Sequence, residues 1–303
     1  MTNTNSNTTL NNHFFSLSFL MTLINWKQFM FSAPWLVGSY LLHIVETGVW
    51  LNISPIILLL CFVSYASLRV FAMSVNQLAD KRFDEKNPRT KDRLLCTGEV
   101  SANQVMWVIV MSALIFLIST VCMIYTSNVR IITWMVIAIP LVIACLGYSY
   151  LKRFTAMSHL FLGLILGSAP ILIRIPLNIP ISSLCVFYGV IMGLMIMSSD
   201  MCYALQDEIF DVNEGLYSFP AVYGTEMTRI AVQVTHAVII GLICVLGQGL
   251  SSVIMVLSCF ILIGVFVRVT DYDDSTTMNI LNLNVTMAIF SSLLLEVLWQ
   301  FMY

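Results

Sequence analysis

Five aspartates and an asparagine stand out in this chain by type and by spacing. Asn76-Gln-Leu-Ala-Asp80-Lys-Arg-Phe-Asp84 sets three polar groups four residues apart. Asp200-Met-Cys-Tyr203-Ala-Leu-Gln-Asp207-Glu-Ile-Phe-Asp211 repeats the Asp-x3-Asp spacing. On a helix turning roughly 100° per residue, Asn76, Asp80 and Asp84 share a sector of about 80°, stacked a turn apart. On a continuous helix, positions 200, 207 and 211 would fall within about 40° of one another, with Tyr203 a neighbour on that face. Taken singly, Asp84 or Asp211 reads as a solvated helix end. The set resists that reading, because carboxylates on one face repel unless a cation or proton lies between them. Asp200, about three turns inward of Asp211, would be costly in an apolar environment without a partner. Magnesium suits such a pattern: it keeps several waters and takes one or two protein carboxylates plus phosphate oxygens. Two helices of this kind imply two ions clamping one diphosphate.

Basic residues lie beside the acids. Asn87-Pro-Arg89-Thr-Lys91-Asp-Arg93 directly follows the first motif. Alone it would serve as a positive anchor at a membrane face; after a metal motif it reads as a lid for diphosphate, since arginine matches phosphate geometry. Tyr148-Ser-Tyr150-Leu-Lys152-Arg153-Phe-Thr155 adds two cations. Arg69, seven residues before Asn76, lies about 10 Å deeper along the same helix. It pairs either with a structural acid or with substrate, and the second reading is favoured.

The elements that must position these residues follow from composition. Only 10% of the 303 residues are charged, 59% are hydrophobic, and mean hydropathy is +0.89. A soluble domain carries about 25% charge. Apolar runs of about 20 residues, the length that crosses a bilayer as a helix, recur throughout. The expected fold is therefore all-α and polytopic, with about nine membrane helices near 28–45, 52–80, 101–125, 129–150, 156–175, 180–211, 227–247, 250–268 and 277–301. Residues 1–27 read as an Asn/Thr-rich tail with a short interfacial segment, and 28–303 as one transmembrane domain. A net charge of −2 gives no basic surface for nucleic acid, and eight cysteines without a CxxC pair read as small buried hydrophobes. With a cytoplasmic N-terminus, eleven basic residues (Lys27, Lys81, Arg82, Lys86, Arg89, Lys91, Arg93, Lys152, Arg153, Arg229 and Arg268) fall inside and only Arg130 and Arg174 outside. Both acidic motifs end helices on that inner side. Each is followed by a glycine and a candidate N-cap, Gly98 with Ser101 and Gly224 with Thr225, a faint two-fold echo.

These motifs, with Phe31-Ser-Ala-Pro34, Arg69-x2-Ala-Met-x2-Asn76 and Leu162-Gly-Leu-Ile-Leu-Gly167-Ser-Ala-Pro170, resemble the UbiA-type membrane aromatic prenyltransferases over nearly the whole chain. Within that family the likeness is strongest to the 4-hydroxybenzoate polyprenyltransferases, including the subgroup that prenylates a dihydroxynaphthoate in the futalosine route to menaquinone. The resemblance implies helices around a central cavity in a bacterial inner membrane, with the active site toward the cytoplasm. It implies Mg²⁺-dependent transfer of a polyprenyl group from its diphosphate to an aromatic acid in ubiquinone or menaquinone biosynthesis. Asp80, Asp84, Asp207 and Asp211 would bind metal. Asn76, Lys91, Arg93, Lys152 and Arg153 would bind diphosphate, and Asp200, Tyr203 and Arg69 would be catalytic. Homogentisate, haem or chlorophyll-like acceptors are alternatives within the same chemistry. The sequence departs from the family at Gln77, in the proline-free Arg93-Leu-Leu-Cys-Thr-Gly98, and at Arg174, where relatives are apolar. From another class, a secondary transporter would need helices broken near mid-membrane, whereas these acids cluster at helix ends.

Overall fold

A computed structural model describes residues 26–51, 53–127, 129–246 and 275–302. Every regular element among them is helical: α1 (Trp26–Thr47), α2 (Pro55–Asp84), α3 (Leu94–Thr97), α4 (Ala102–Ser127), α5 (Ile131–Leu151), α6 (Ser158–Gly167), α7 (Ala169–Leu172), α8 (Ser183–Leu205), α9 (Glu208–Glu214), α10 (Phe219–Leu246) and α11 (Ser275–Met302). Six stretches are long and apolar enough to cross a bilayer, in α2, α4, α5, α8, α10 and α11, and Ser158–Leu172 is a shorter apolar segment. The chain is an integral membrane protein. The expected helix at 250–268 and most of the N-terminal tail lie outside the described residues.

The helices group into two compact units, one containing Pro55–Tyr150 and the other Phe31–Ser54 with Leu151–Tyr303. In the first, α2 packs along α4. Leu95, Val100 and Val105 close a small core with Leu78 and Leu94 under the turn that joins them. Helix α4 starts on a capping box. The Ser101 hydroxyl accepts the Gln104 N–H at 3.3 Å, and the Gln104 side-chain oxygen accepts the Ser101 N–H at 2.8 Å. The outer faces of α4 and α5 carry exposed Trp107, Leu117, Ile118, Val136 and Ile143, an apolar surface that lipid would cover.

In the second unit α8 is central. Cys185, Tyr188, Ile191, Met192, Met195 and Cys202 are all buried on it, against α6, α10 and α11. The α6–α8 contact is made backbone to backbone. A Cβ on Gly163 would stand 2.6 Å from the Gly193 carbonyl oxygen, and one on Gly167 would stand 2.6 Å from that of Gly189. Two Gly-x3-Gly pairs thus face each other, the small-residue packing that membrane helices use.

Arg174, whose role the sequence left open, proves to be a buried staple at the start of α8. It is 1% exposed. Its Nη1 pairs with Glu46 at 3.1 Å and donates to the Pro180 carbonyl at 2.9 Å, and its Nη2 donates to the Ser39 carbonyl at 3.1 Å. The Ser182 hydroxyl donates to Glu46 and, as the N-cap of α8, accepts the Cys185 N–H. The arginine is thereby committed to structure, joining α1 to the segment before α8.

Because no side chain separates α6 from α8, Gly167→Val should force the two backbones apart. The expected cost is about 1–3 kcal/mol, read as a lower thermal midpoint of the detergent-solubilised protein. An unchanged midpoint would mean that the helices do not touch.

Candidate active site

The first motif occupies the final turns of α2, which runs to Asp84 rather than stopping near residue 80. Asn76 Nδ2 donates to Asp80 Oδ2 at 2.9 Å, so the one-face spacing read from sequence is realised as a contact. The chain then folds back over the helix end in successive turns. The Asn87 N–H bonds the Phe83 carbonyl, and the N–H groups of Thr90 and Lys91 bond that of Asn87. The Asn87 side chain accepts the Arg89 N–H at 2.9 Å, and the Thr90 hydroxyl reaches the Asp84 carbonyl at 3.3 Å. These bonds bring Arg93 Nη1 to 2.5 Å from Asp84 Oδ2. The basic loop is a folded cap on the acidic motif, and Lys91 stays exposed on it. Arg69 lies deeper in α2, 8% exposed, its Nε buried without a hydrogen-bond partner among the described residues.

The second motif differs from its expected form. Helix α8 ends at Leu205, and the chain tightens there: Gln206 N–H bonds the Tyr203 carbonyl and Asp207 N–H that of Ala204, both three residues back. Asp207 then opens α9, its carbonyl accepting the Asp211 N–H at 2.7 Å. Asp207 and Asp211 remain one turn apart. Asp200 and Tyr203 belong to a separate helix, so the single 40° face over residues 200–211 is not formed. Thr225 likewise bonds Glu208 through its hydroxyl instead of capping a helix, and Gly224, at φ 82°, breaks α10 just after its first turn.

Asp207 and Asp211 are 5% and 3% exposed, and among the described residues Asp211 Oδ2 meets no donor within hydrogen-bond distance, although the Ser218 hydroxyl lies close enough to act on it. Burial pushes the Asp211 carboxyl above its ordinary value; Lys152, the Ser218 hydroxyl and His159 pull it back, and Asp207 adds to the rise. Lys152 is held close by its own backbone, whose carbonyl accepts the Tyr217 N–H at 2.6 Å. Among the described residues no three His, Cys, Asp or Glu side chains converge as a ready-made cage. What the chain provides is carboxylates in pairs, one of them buried and under-satisfied. Such a donor set fits a hard cation whose remaining positions are filled by water and phosphate oxygens.

One site residue escaped the sequence reading. His159, at the start of α6 and 2% exposed, places Nδ1 2.6 Å from Asp200 Oδ2, and its Nε2 accepts the Phe219 N–H at 3.3 Å. The available signal was chemical: an acid inside an apolar stretch needs a partner, and His159 follows the Tyr148–Thr155 segment closely. Arg153 and Tyr203 sit beside these groups in sequence, at the end of α5 and one turn beyond Asp200 on α8.

Comparison with known proteins shows where this fold recurs. The solved structure of a UbiA homolog from Aeropyrum pernix K1 superimposes with a TM-score of 0.70 at 22% identity, covering 88% of this chain and 96% of that one. A UbiA homolog from Archaeoglobus fulgidus, bound to GPP and Mg²⁺, gives 0.64 at 16% identity, covering 91% and 99%. By sequence, the 4-hydroxybenzoate octaprenyltransferase of Xanthomonas oryzae pv. oryzae (strain PXO99A) is 26% identical over 211 residues, 68% of this chain and 62% of the relative. That of Francisella tularensis subsp. novicida (strain U112) is 27% identical over 164 residues, 54% and 55%. The chain thus spans a little over half the length of these curated relatives. The model of the UbiA prenyltransferase family matches residues 31–290, a stretch that takes in both aspartate motifs, the basic cap and His159; the chain belongs to that family.

Proposed function

We propose that the protein transfers a polyprenyl group from its diphosphate to the ring of an aromatic acid, 4-hydroxybenzoate or a dihydroxynaphthoate, in quinone biosynthesis. The observation that carries this reading is the pairing of two Asp-x3-Asp motifs with adjacent cations inside a family match of this extent. The names of the curated relatives support 4-hydroxybenzoate as acceptor.

In this reading Asp80 and Asp84, assisted by Asn76, hold one Mg²⁺, and Asp207 and Asp211 hold a second. Bound magnesium would neutralise charge on the departing diphosphate and so favour ionisation of the allylic C–O bond. Lys91, Lys152 and Arg153 supply further positive charge to its oxygens. Arg93 starts on Asp84 and turns to phosphate once that carboxylate has another cation. Apolar helix faces keep water from the allylic cation. The ring carbon of the acceptor then bonds to prenyl C1, and the ring proton leaves to Asp200, with Tyr203 orienting the acceptor. Arg69, buried and under-satisfied in α2, meets an anionic partner, either diphosphate or the acceptor carboxylate.

The direct test incubates membranes containing the protein with labelled farnesyl diphosphate and either 4-hydroxybenzoate or 1,4-dihydroxy-6-naphthoate. Prenylated product from one acceptor identifies it; none from either overturns the assignment. Chelation with EDTA should abolish turnover and Mg²⁺ should restore it, while Asp80→Asn and Asp207→Asn should each slow it by about tenfold or more. Full activity in chelator would show the carboxylate pairs to be mere helix-end charges.

Arg69→Lys keeps the charge but loses the planar fork, so KM for one substrate should rise by about fivefold, and the substrate affected identifies the partner. Unchanged kinetics in Arg69→Ala would return Arg69 to a structural role. The excess of basic residues near both motifs supports a cytoplasmic side for them. A cysteine substituted for exposed Asp92 should therefore react with an impermeant thiol reagent in inverted vesicles and not in intact cells. The opposite labelling pattern would reverse the topology.

A further inference from the structure

His159 has both ring nitrogens committed. The backbone N–H of Phe219 can only donate, so Nε2, which receives it at 3.3 Å, presents a lone pair. The proton of the neutral ring is then on Nδ1, directed at Asp200 Oδ2 across 2.6 Å. The Gly163–Gly193 backbone contact lies one turn along α6, the Phe219 N–H is among the first of α10, and Tyr217, two residues before it, donates its N–H to the Lys152 carbonyl.

We infer that His159 is the positioning residue of Asp200: its Nδ1–H holds one carboxylate oxygen and so fixes the plane of the carboxylate presented to the aromatic acceptor. This rests on the reading of Asp200 as the acceptor of the ring proton. In that step the bond from prenyl C1 to the ring carbon forms, and the allylic C–O pair departs with diphosphate. The ring C–H pair restores aromaticity, and the proton passes to Asp200. His159 neither gains nor loses a proton, since Nδ1–H is already donated and Nε2 is already occupied. Its part is to supply a hydrogen bond to a half-buried carboxylate, and to supply it from one direction only.

A plain structural role, capping α10, would use the Phe219 contact and not the Asp200 contact, and substitutions separate the two. His159→Asn places its amide Nδ2 near the position of Nδ1, keeping the donor and losing the acceptor; His159→Ala loses both. With Mg²⁺, farnesyl diphosphate and 4-hydroxybenzoate, His159→Ala should lower kcat by about tenfold to a hundredfold while KM for the diphosphate stays unchanged. His159→Asn should retain most of the wild-type kcat. The double variant with Asp200→Asn should be no slower than Asp200→Asn alone, as expected when one residue acts through the other. Normal kcat in Asp200→Asn would overturn the role given to Asp200. Slow Asp200→Asn with normal His159→Ala would overturn the positioning role alone. Equal losses in the Asn and Ala variants, or multiplied losses in the double variant, would overturn it in favour of a cap. Should His159→Ala fail to fold, ¹⁵N spectra of histidine-labelled wild-type protein decide the matter. A ring protonated on Nδ1 and bare on Nε2, absent from His159→Asn, is expected, and a ring protonated on Nε2 would overturn the inference.

Discussion

A charge placed among apolar helices must bring its partner with it, and most of what is specific in this structure follows from that constraint. An unpaired ion in hydrocarbon costs several kcal/mol even after relaxation. Helix α8 meets the demand at each end. At its start Ser182 joins the Arg174–Glu46 pair, and near its finish Asp200 takes the proton-bearing nitrogen of His159. The eighteen residue steps from Ser182 to Asp200 span ~27 Å at 1.5 Å per residue, close to the hydrocarbon thickness of a bilayer. Methionines and isoleucines fill the interval. Polar fixings thus stand about a bilayer's thickness apart, and most of the helix between them lies in the apolar core.

The two acidic motifs answer the same demand differently. In the first, Asp84 has Arg93 and Asp80 has Asn76, so the carboxylates are already engaged by the chain around them. In the second, Asp211 is more deeply buried, with Lys152 as its leading electrostatic support and one oxygen without a hydrogen-bond donor. Under the proposed function, a cation at the first motif would compete with Arg93 for Asp84, and one at the second would meet the buried Asp211.

The parts of this arrangement that were legible in the sequence are those governed by local rules. Asn76 and Asp80 meet because residues four apart on a helix must, and Ser101 caps α4 because serine followed three residues later by glutamine does so. The long apolar runs announce membrane helices for the same reason. Periodicity misleads where a helix ends without a proline or glycine to mark it. Nothing in Ala204-Leu-Gln-Asp207 signals the tightened turn that separates Asp200 from Asp207. Long-range partners were also hidden: His159 lies 41 residues before Asp200, and Arg174 lies 128 residues after Glu46. An intramembrane acid or arginine announces that it needs a partner, but only the packed structure says which residue answers.

Under the proposed function, the glycine seam between α6 and α8 bears on how a long isoprenoid would reach the protein. A hydrocarbon tail of that length dissolves in the bilayer and must enter from the side, through a slit between helices wide enough for branched methyl groups. Where Gly163 and Gly167 rest on the carbonyls of Gly193 and Gly189, no such slit exists and none opens without parting two backbones. That flank is sealed against lipid, so in the proposed reaction the entrance for the tail would lie along another helix boundary.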